Sequence, residues 1–340
     1  MKAIILKCKQ GSRFHLGEYT NFRDNVLHNS AEYIHSDVMF GAFFSAMAKI
    51  YPDKLDGFKQ HFINKKISLS SALYCIKEKD TNKYLFLLPK PVSLNLLKLE
   101  NHLDYYKAVK KVKFISKGVF EKGLQPNDWF SDQCTMPNEI SVFLKEEFTE
   151  NSPQFSLYNK VDLQKVKVHS DESEGNLFSQ TDIMLMGSEK YEVNWYFLLD
   201  EQLPNEDKDI FYKTLDLMVV NGIGGERSTG CGTIEDTEVI EDFSMDIHNP
   251  SDKHVLLSLA FPLESEADKY LLYKTKTKGG MWYDVKKRLK KIMAVEEGSI
   301  LNGSITPQII DLSENNYPYL KYGGNISYPL PIEYINFLNV

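Results

Sequence analysis

The chain has 340 residues, of which 42% are hydrophobic and 26% are charged. This composition is typical of a globular protein and excludes a fibrous or disordered chain, while the length suggests about two domains. No apolar run is long enough to cross a bilayer and the first residues show no signal peptide, so we expect a cytoplasmic protein without membrane contact. The four cysteines lie far apart, which predicts reduced thiols, no metal and no cofactor.

The charge is unevenly distributed along the chain. The net charge of −7 disfavours a general nucleic-acid binder. However, residues 107–122 carry six lysines and one acid, and residues 274–291 carry eight basic residues and one acid. Residues 235–246 carry six acids and no base. A basic stripe on an acidic protein can follow a phosphate backbone, and the alternative is that each run is a solvated face.

The chain begins with a predicted strand and a predicted helix. Apolar and polar residues alternate over 3–9, which is typical of a strand with one buried face. Apolar residues recur at helical spacing over 37–51, and Pro52 ends the pattern. Ser36 or Asp37 is the expected N-cap, because either side chain can accept a hydrogen bond from the first free amides.

Further strands and a second helix follow. Short strands are expected near 69–76 and 84–88, and an insertion without a strong period, a hairpin or mobile arm, is expected at about 92–150. Residues 191–199 alternate strongly and predict a strand, and Pro204 opens a helix over about 205–220.

A glycine-rich loop, residues 222–232, comes after this second helix, and residues 233–240 predict another strand. Without the insertion, the order is β-α-β-β-α-β, the order of a ferredoxin-like (RRM-like) unit. We therefore predict an α+β protein with two ferredoxin-like domains. The first spans residues 1–245 and the second, strand-rich one spans residues 246–340, with a border near 150 as the alternative.

The loop contains five glycines within eleven residues. Glycine permits positive φ and lets a ligand approach the backbone closely, and consecutive amides in such a loop can point together at a phosphate. Arg227 adds a guanidinium, and Ser228 and Thr229 add hydroxyl groups. These features predict an RNA-binding loop, and a structural turn after the helix is the alternative.

Two nucleotide-binding patterns do not fit the loop. A Walker A loop has Lys and then Ser or Thr after its last glycine, whereas Cys231 follows Gly230 here. The third glycine of a dinucleotide loop is replaced by Arg227. Both patterns also precede a helix, where the helix dipole favours anions, whereas this loop follows one. ATP and NAD are therefore not expected.

Several short motifs surround the loop in a definite order. They are Phe14-His15-Leu16-Gly17, Ser36-Asp37-Val38-Met39-Phe40-Gly41-Ala42, Leu87-Leu88-Pro89-Lys90-Pro91, Gly175-Asn176-Leu177-Phe178, Glu297-Gly298-Ser299-Ile300 and Tyr322-Gly323-Gly324. With the loop, they resemble the RAMP superfamily of CRISPR proteins, and in particular the type III-A (Csm) effector subunit that caps the 5′ end of the guide RNA. The resemblance spans most of the chain and is thin over 92–150.

The resemblance implies a non-catalytic subunit in antiviral defence. Such a subunit holds the 5′ handle of the guide RNA (crRNA), joins the large polymerase-like subunit to the backbone subunit, and meets target RNA only indirectly. The RNA-binding residues that the resemblance implies are Gly222, Ile223, Gly224, Gly225, Arg227, Ser228, Thr229 and Gly230, with His15, Gly17 and Ser36 added. The insertion is a candidate thumb against the guide–target duplex, because its lysines flank Phe114 and Phe120.

Two other functions remain open. Related guide-processing endoribonucleases use a histidine in the loop after the first strand, and His15 has a side chain suited to acid–base chemistry. No Tyr, Lys or second His is visibly paired with it, so no catalytic residue is expected. A scaffold that binds only proteins, with the loop as a docking turn, is the third possibility.

Overall fold

A computed structural model describes residues 1–18, 29–97, 103–167, 176–282, 287–288, 290–314 and 318–338. These residues form an α+β fold with large sheets and few helices, as predicted for the fold class. The α-helices are α1 (Ser36–Ile50), α2 (Leu55–Ile63), α3 (Leu103–Lys111), α4 (Lys117–Glu121) and α5 (Asn205–Asn221).

The strands before residue 245 are β1 (Lys2–Lys7), β2 (Arg13–Phe14), β3 (Ile67–Leu69), β4 (Leu73–Glu78), β5 (Lys83–Pro89), β6 (Phe114–Ser116), β7 (Cys134–Asn138), β8 (Ser141–Leu144), β9 (Ser156–Lys167), β10 (Asn176–Gly187), β11 (Tyr191–Glu201) and β12 (Asp236–Ile240).

Nine strands form the main sheet, in the order β12-β1-β11-β4-β5-β6-β8-β7, with β3 added beside β11. Neighbouring strands are antiparallel except β6 and β8, which are parallel. In the register of the centre, Ile5 lies opposite Tyr196 of β11 and Glu238 of β12. The two long helices, α1 and α5, cover one face of this sheet.

The first strand is buried on both faces, and the prediction of one buried face is wrong. Ile4 and Leu6 pack with the side chains of α1 and α5. Ala3 and Ile5 point to the opposite face, where they pack with the C-terminal part of the chain, including Val255. A strand covered on both sides needs apolar residues at every position, and β1 has them from Ala3 to Leu6.

Helix α1 agrees with the predicted range to within a residue, but its start differs from the prediction. The N-cap is His35, whose side chain caps no amide. The Ser36 hydroxyl instead accepts a hydrogen bond from the Leu259 amide at 3.0 Å, and Asp37 pairs with lysines. Both polar side chains serve the C-terminal unit, so neither is free for the helix end.

The described part of the insertion belongs to the main sheet and is not a mobile arm, and β7 and β8 form a hairpin within it. Strands β6, β8 and β7 extend the sheet beyond β5, and Phe114 and Phe120 are 1% and 0% exposed in its core. Four of the lysines from 107 to 122 form ion pairs, namely Lys111 with Glu139, Lys113 with Glu32, Lys117 with Glu121 and Lys122 with Glu146. The prediction that this segment is a thumb against the guide–target duplex relied on these two rings. That reasoning is wrong, because buried rings cannot stack on bases.

A long hairpin, β9 and β10, leaves the main sheet and forms a small sheet with β2 in the order β2-β10-β9. The strands pair from Ser156 opposite Gly187 to Lys167 opposite Asn176. Towards that far end Val166 and Leu177 are 58% and 68% exposed. Near its base Ile183 pairs with Phe14, so the hairpin is fixed beside the segment that contains His15.

The C-terminal residues form a second, strand-rich unit. Its strands are β13 (Pro250–Leu256), β14 (Tyr270–Leu272), β15 (Thr275–Lys278), β16 (Met281–Trp282), β17 (Lys287–Arg288), β18 (Ile292–Val295), β19 (Ile300–Asn302), β20 (Gln308–Asp311), β21 (Leu320–Gly323) and β22 (Ser327–Pro331). Four of them form an antiparallel sheet in the order β14-β19-β13-β22. Within its described residues this unit has 3-10 turns and no α-helix, so the expected second ferredoxin-like domain is not confirmed.

Asp37 fastens the C-terminal unit to helix α1. Its carboxylate has no exposed surface and lies 3.1 Å from the Lys278 ammonium and 2.7 Å from the Lys321 ammonium. Burial alone would raise the pKa of Asp37, but the two lysines reverse this effect and hold the pKa below its usual range. Part of the second lysine-rich run therefore faces inward and neutralises a buried acid.

Glu297 makes a second buried link between the two units. Its side chain has no exposed surface and accepts hydrogen bonds from the Ser71 hydroxyl and from His35 Nδ1, which is 2.9 Å away. The Lys276 ammonium lies 3.2 Å from His35 Nε2 and can only donate, so Nε2 accepts and the ring is neutral. Burial accordingly lowers the pKa of His35. The hydrogen bonds from His35 and Ser71 outweigh the opposing effect of burial and hold the pKa of Glu297 below its usual range.

The expectations about cysteines, metals and membranes can be compared with the described residues. Each of the four cysteines, Cys8, Cys75, Cys134 and Cys231, is a buried free thiol. Within the described ranges, no group of three or more His, Cys, Asp or Glu side chains could hold a metal ion. No helix in that same part of the chain is long and apolar enough to cross a membrane.

Candidate nucleic-acid interface

The glycine loop packs closely against the segment after β2. Gly222 and Gly224 have φ of +74° and +100°, a backbone region that favours glycine. A Cβ on Gly224 would lie 2.8 Å from the His15 carbonyl oxygen, and one on Gly232 would lie 2.1 Å from the Ile223 carbonyl oxygen. The glycines therefore allow close backbone packing within the loop and against His15.

Most amides of the loop are already used inside the protein. Gly225 donates to the His15 carbonyl at 2.9 Å, Gly232 donates to the Arg13 carbonyl at 2.7 Å, and Ile223 donates to the Gly232 carbonyl at 3.0 Å. These three amides are therefore not available to a phosphate. Among the described residues, no hydrogen bond is recorded for the amides of Gly224, Glu226, Arg227 and Ser228.

The tip of the loop is exposed. Residues Arg227–Thr229 form a single 3-10 turn, and Arg227, Ser228, Thr229 and Gly230 are all exposed. Glu226 before the turn is left-handed, with φ of +57°, and pairs with Lys165 of the hairpin at 2.7 Å. The guanidinium and the Ser228 hydroxyl are therefore available to a ligand, whereas the Thr229 hydroxyl donates to the Glu226 carbonyl at 2.9 Å.

His15 sits under the loop and is fixed by the hairpin. Its Nδ1 lies 3.2 Å from both the Thr181 carbonyl oxygen and Asp182 Oδ1. Asp182 has no exposed surface, and its Oδ2 also lies 3.6 Å from the Cys231 sulfur and 3.8 Å from the Arg13 guanidinium. No local pattern indicates the contact of His15 with Asp182, because the two residues are 167 positions apart.

The predicted site residues fall into two groups. Gly17 is exposed and lies with His15 beside the loop. Ile223 has a fully buried side chain, and Ser36 has no exposed surface and binds the Leu259 amide. Gly222 is buried too, and the His15 side chain is only 4% exposed, so Gly17 and the loop tip are the predicted positions that are open to an external ligand.

A cleft of about 910 Å³ joins the exposed members of the site. One wall is the loop with the segment His15–Gly17, the second is the outer side of α1 and α2, and the third is the C-terminal stretch around Tyr319. Arg227, Lys59 and Lys321 provide positive charge along these walls, which also carry the acids Asp37, Asp56 and Asp311. Lys321 is already paired with Asp37. The cleft combines cations, hydroxyl groups and an aromatic ring, the groups that bind single-stranded RNA.

A second cavity of about 980 Å³ lies on the opposite face of the main sheet. Its walls include Lys83, Phe86 and Lys122, and acids such as Glu146 and Asp242. Lys122 is paired with Glu146 at 2.6 Å, so acids neutralise part of this cavity's charge. None of the predicted site residues lines it, and the first cleft is the better candidate for an anionic ligand.

The chain belongs to the RAMP superfamily, because the family profile of that description matches residues 14–235, more than half of the chain. Residues 249–330 match the profile described as the CRISPR Csm4 C-terminal domain. The matched ranges contain the glycine loop, the segment with His15 and most of the strand-rich unit.

Two kinds of relative agree with this assignment. The chain is 28% identical to a Methanocaldococcus jannaschii protein described as "CRISPR system Cms protein Csm4", over 93% of this chain and 90% of that protein. It resembles a chain in the crystal structure of a Csm3–Csm4 subcomplex of the type III-A CRISPR-Cas interference complex, with a TM-score of 0.68, 23% identity and coverage of 97% and 99%. A chain of a Csm1–Csm4 cassette in complex with cA4 gives a TM-score of 0.56, 19% identity and 97% coverage of both chains. At these identities, the structural matches establish the shared fold.

Proposed function

We propose that this chain is the non-catalytic subunit of a type III-A (Csm) CRISPR effector complex that holds the 5′ handle of the crRNA. The observation that carries the proposal is the cleft, in which the exposed loop tip with Arg227, together with His15 and Gly17, lines one wall of a space large enough for nucleotides. Membership of the RAMP superfamily and the C-terminal Csm4 match support it. A cytoplasmic location goes with this function.

The partners in this proposal are two other protein subunits and the guide RNA. The descriptions of the related structures pair their Csm4 chains with Csm3 in one case and with Csm1 in the other. By analogy, this chain joins the large polymerase-like subunit to the backbone subunit. Target RNA is then met indirectly, through the guide.

The proposal includes a ferredoxin-like first domain and a domain border. The strand order β12-β1-β11-β4, with α1 after β1 and α5 after β11, supports a ferredoxin-like first domain. The domain border is proposed at about residue 245. Two observations support it: β12 ends at Ile240 before β13 begins at Pro250, and the two family matches end and begin at 235 and 249.

RNA binding through the cleft is tested by the salt dependence of binding. The full chain, assembled with its partner subunits, is titrated with a labelled RNA that carries the 5′ end of a guide from the same CRISPR locus. Each phosphate contact in a single-stranded complex contributes about 0.7 to the slope of log affinity against log salt. Arg227→Ala should weaken binding and reduce this slope by about 0.7, whereas Arg227→Lys should keep the slope.

The matched control is Lys122→Ala, which removes an exposed cation from the second cavity. It should leave both affinity and slope unchanged. An unchanged slope for Arg227→Ala together with a reduced slope for Lys122→Ala would place the RNA in the wrong cavity for this proposal. Assembly without any RNA contact would favour a protein scaffold, and cleavage of a repeat RNA that is lost in His15→Ala would favour the endoribonuclease alternative.

A further inference from the structure

Asp182 is a buried carboxylate at the meeting point of the hairpin, the segment after β2 and the glycine loop. Its Oδ1 accepts a hydrogen bond from the side-chain amide nitrogen Nε2 of Gln180 at 2.7 Å and lies 3.2 Å from His15 Nδ1. Its Oδ2 faces the Cys231 thiol from the loop and the Arg13 guanidinium. Because the carboxylate has no exposed surface, it acts on a ligand only through the groups that it holds.

The contacts of His15 define which ring nitrogen carries a hydrogen. Nδ1 faces two oxygen atoms that can only accept, the Thr181 carbonyl and Asp182 Oδ1, each at 3.2 Å. Nδ1 must therefore be the donor. In the neutral ring, the lone pair then lies on Nε2, so Nε2 is a hydrogen-bond acceptor.

The same ring edge faces the cleft. His15 lines the cleft, and no residue of the described ranges forms a hydrogen bond with its Nε2. Gly225 packs beside this edge, where a Cβ would lie 2.9 Å from Cδ2, the carbon bonded to Nε2. The missing side chain at Gly225 leaves space beside this edge, although the His15 side chain as a whole is 4% exposed.

An acceptor at this place selects a ligand group that can donate. Phosphate oxygens cannot donate, whereas the ribose 2′-hydroxyl and the exocyclic amines of some bases can. We propose that His15 Nε2 accepts a hydrogen bond from a nucleotide of the bound RNA, and that the donor is a ribose 2′-hydroxyl. Every ribonucleotide carries this group beside its backbone, and it is the group that separates RNA from DNA. Asp182 is then a positioning residue, and the inference rests on RNA binding in the cleft as proposed above.

Two variants of His15 separate its two nitrogens. The amide of His15→Asn can replace Nδ1 towards Asp182 but leaves nothing at Nε2. The longer His15→Gln can place an amide oxygen near Nε2. Both variants are assembled into the full complex, and their melting temperatures show whether the fold is kept.

The test uses guide 5′-end RNAs with one 2′-deoxy nucleotide each. With the wild-type chain, a 2′-deoxy nucleotide at one position should weaken RNA binding by about fivefold, which is the typical effect of losing one neutral hydrogen bond. In the His15→Asn complex, that 2′-deoxy nucleotide should cause no further loss of RNA affinity. In the His15→Gln complex, it should still cause most of the loss seen with the wild type. A second series removes base amines instead, with purine for adenine and inosine for guanine.

The outcomes distinguish this inference from the proposed function. If RNA binding still depends on Arg227 but every 2′-deoxy position is tolerated, the inference is wrong and the proposed function stands. The inference is also wrong, and the proposed function also stands, if the loss of affinity caused by the 2′-deoxy nucleotide is unchanged in His15→Asn. A penalty that follows a base amine would overturn the assignment to the 2′-hydroxyl. If His15 were an imidazolium bound to a phosphate, His15→Asn would lower the salt slope and leave the deoxy penalty intact, which also refutes the inference.

Discussion

Replacing Asp37 by Asn should strongly destabilise the junction between the two units. The substitution keeps the size of the side chain and removes its charge. Lys278 and Lys321 are then left 9% and 8% exposed, with their shared counter-charge removed. Loss of one partner of a buried ion pair typically costs 3–5 kcal/mol, and two ammonium groups lose their partner here, so we expect a loss of about 4 kcal/mol in the free energy of unfolding.

The assay is urea unfolding of the full chain, followed by circular dichroism and by tryptophan fluorescence. A matched control is Asp209→Asn, because Asp209 pairs with Lys213 at 2.6 Å on the surface of α5, with both side chains more than half exposed. That change should cost less than about 1 kcal/mol. A triple replacement of Asp37 by Leu and of both lysines by Met should recover most of the lost stability. A loss below about 1 kcal/mol for Asp37→Asn would refute the view that this buried cluster fastens the two units.

Two more outcomes concern acid sensitivity and the loop. The pKa of Glu297 is held below its ordinary 4.5, so its contribution to stability is present above about pH 5 and is lost as the pH falls through the lowered pKa. Urea unfolding at several pH values should therefore show a weaker loss of stability in acid for Glu297→Gln than for the wild type. An unchanged pH profile would contradict the link to His35. In the loop, Gly232→Ala should lower the melting temperature and RNA affinity much more than Gly230→Ala. Both positions have positive φ, but a Cβ at Gly232 would lie 2.1 Å from the Ile223 carbonyl, whereas nothing lies within 4 Å at Gly230. Equal effects of the two alanines would show that packing against Ile223 does not matter.

Local periodicity was sufficient for three elements of the first domain. The helices α1 and α5 and the strand β11 were predicted to within two residues at each end, because each has a clear apolar pattern and clear end signals. The short helix α2 was missed, although Phe58 and Phe62 mark its buried side four residues apart. The position of strand β1 was predicted correctly, but its burial was not. Its second face is covered by residues such as Val255, which lies about 250 positions further along the chain.

Long-range contacts explain what the sequence could not indicate. The lysine-rich runs suggested a basic surface, but their partners, such as Glu32 for Lys113 and Asp37 for Lys278, come from distant parts of the chain. Ser36 looked like a cap and an RNA contact, yet it binds the Leu259 amide 223 residues away. The loop itself was found from composition alone, whereas the Asp182 carboxylate that fixes His15 depends on how the hairpin folds back.

We expect the 5′ end of the guide RNA to lie in the cleft that the glycine loop and residues 15–17 line together with α1, α2 and the stretch around Tyr319. The most direct measurement is photo-crosslinking of the assembled complex with guide RNAs that carry one photoreactive nucleotide at successive handle positions, followed by mass spectrometry of the attached peptides. We expect crosslinks to residues 15–17, to 224–230 and to the stretch around Tyr319. Crosslinks confined to the cavity around Lys83, Phe86 and Lys122, or to partner subunits alone, would contradict it.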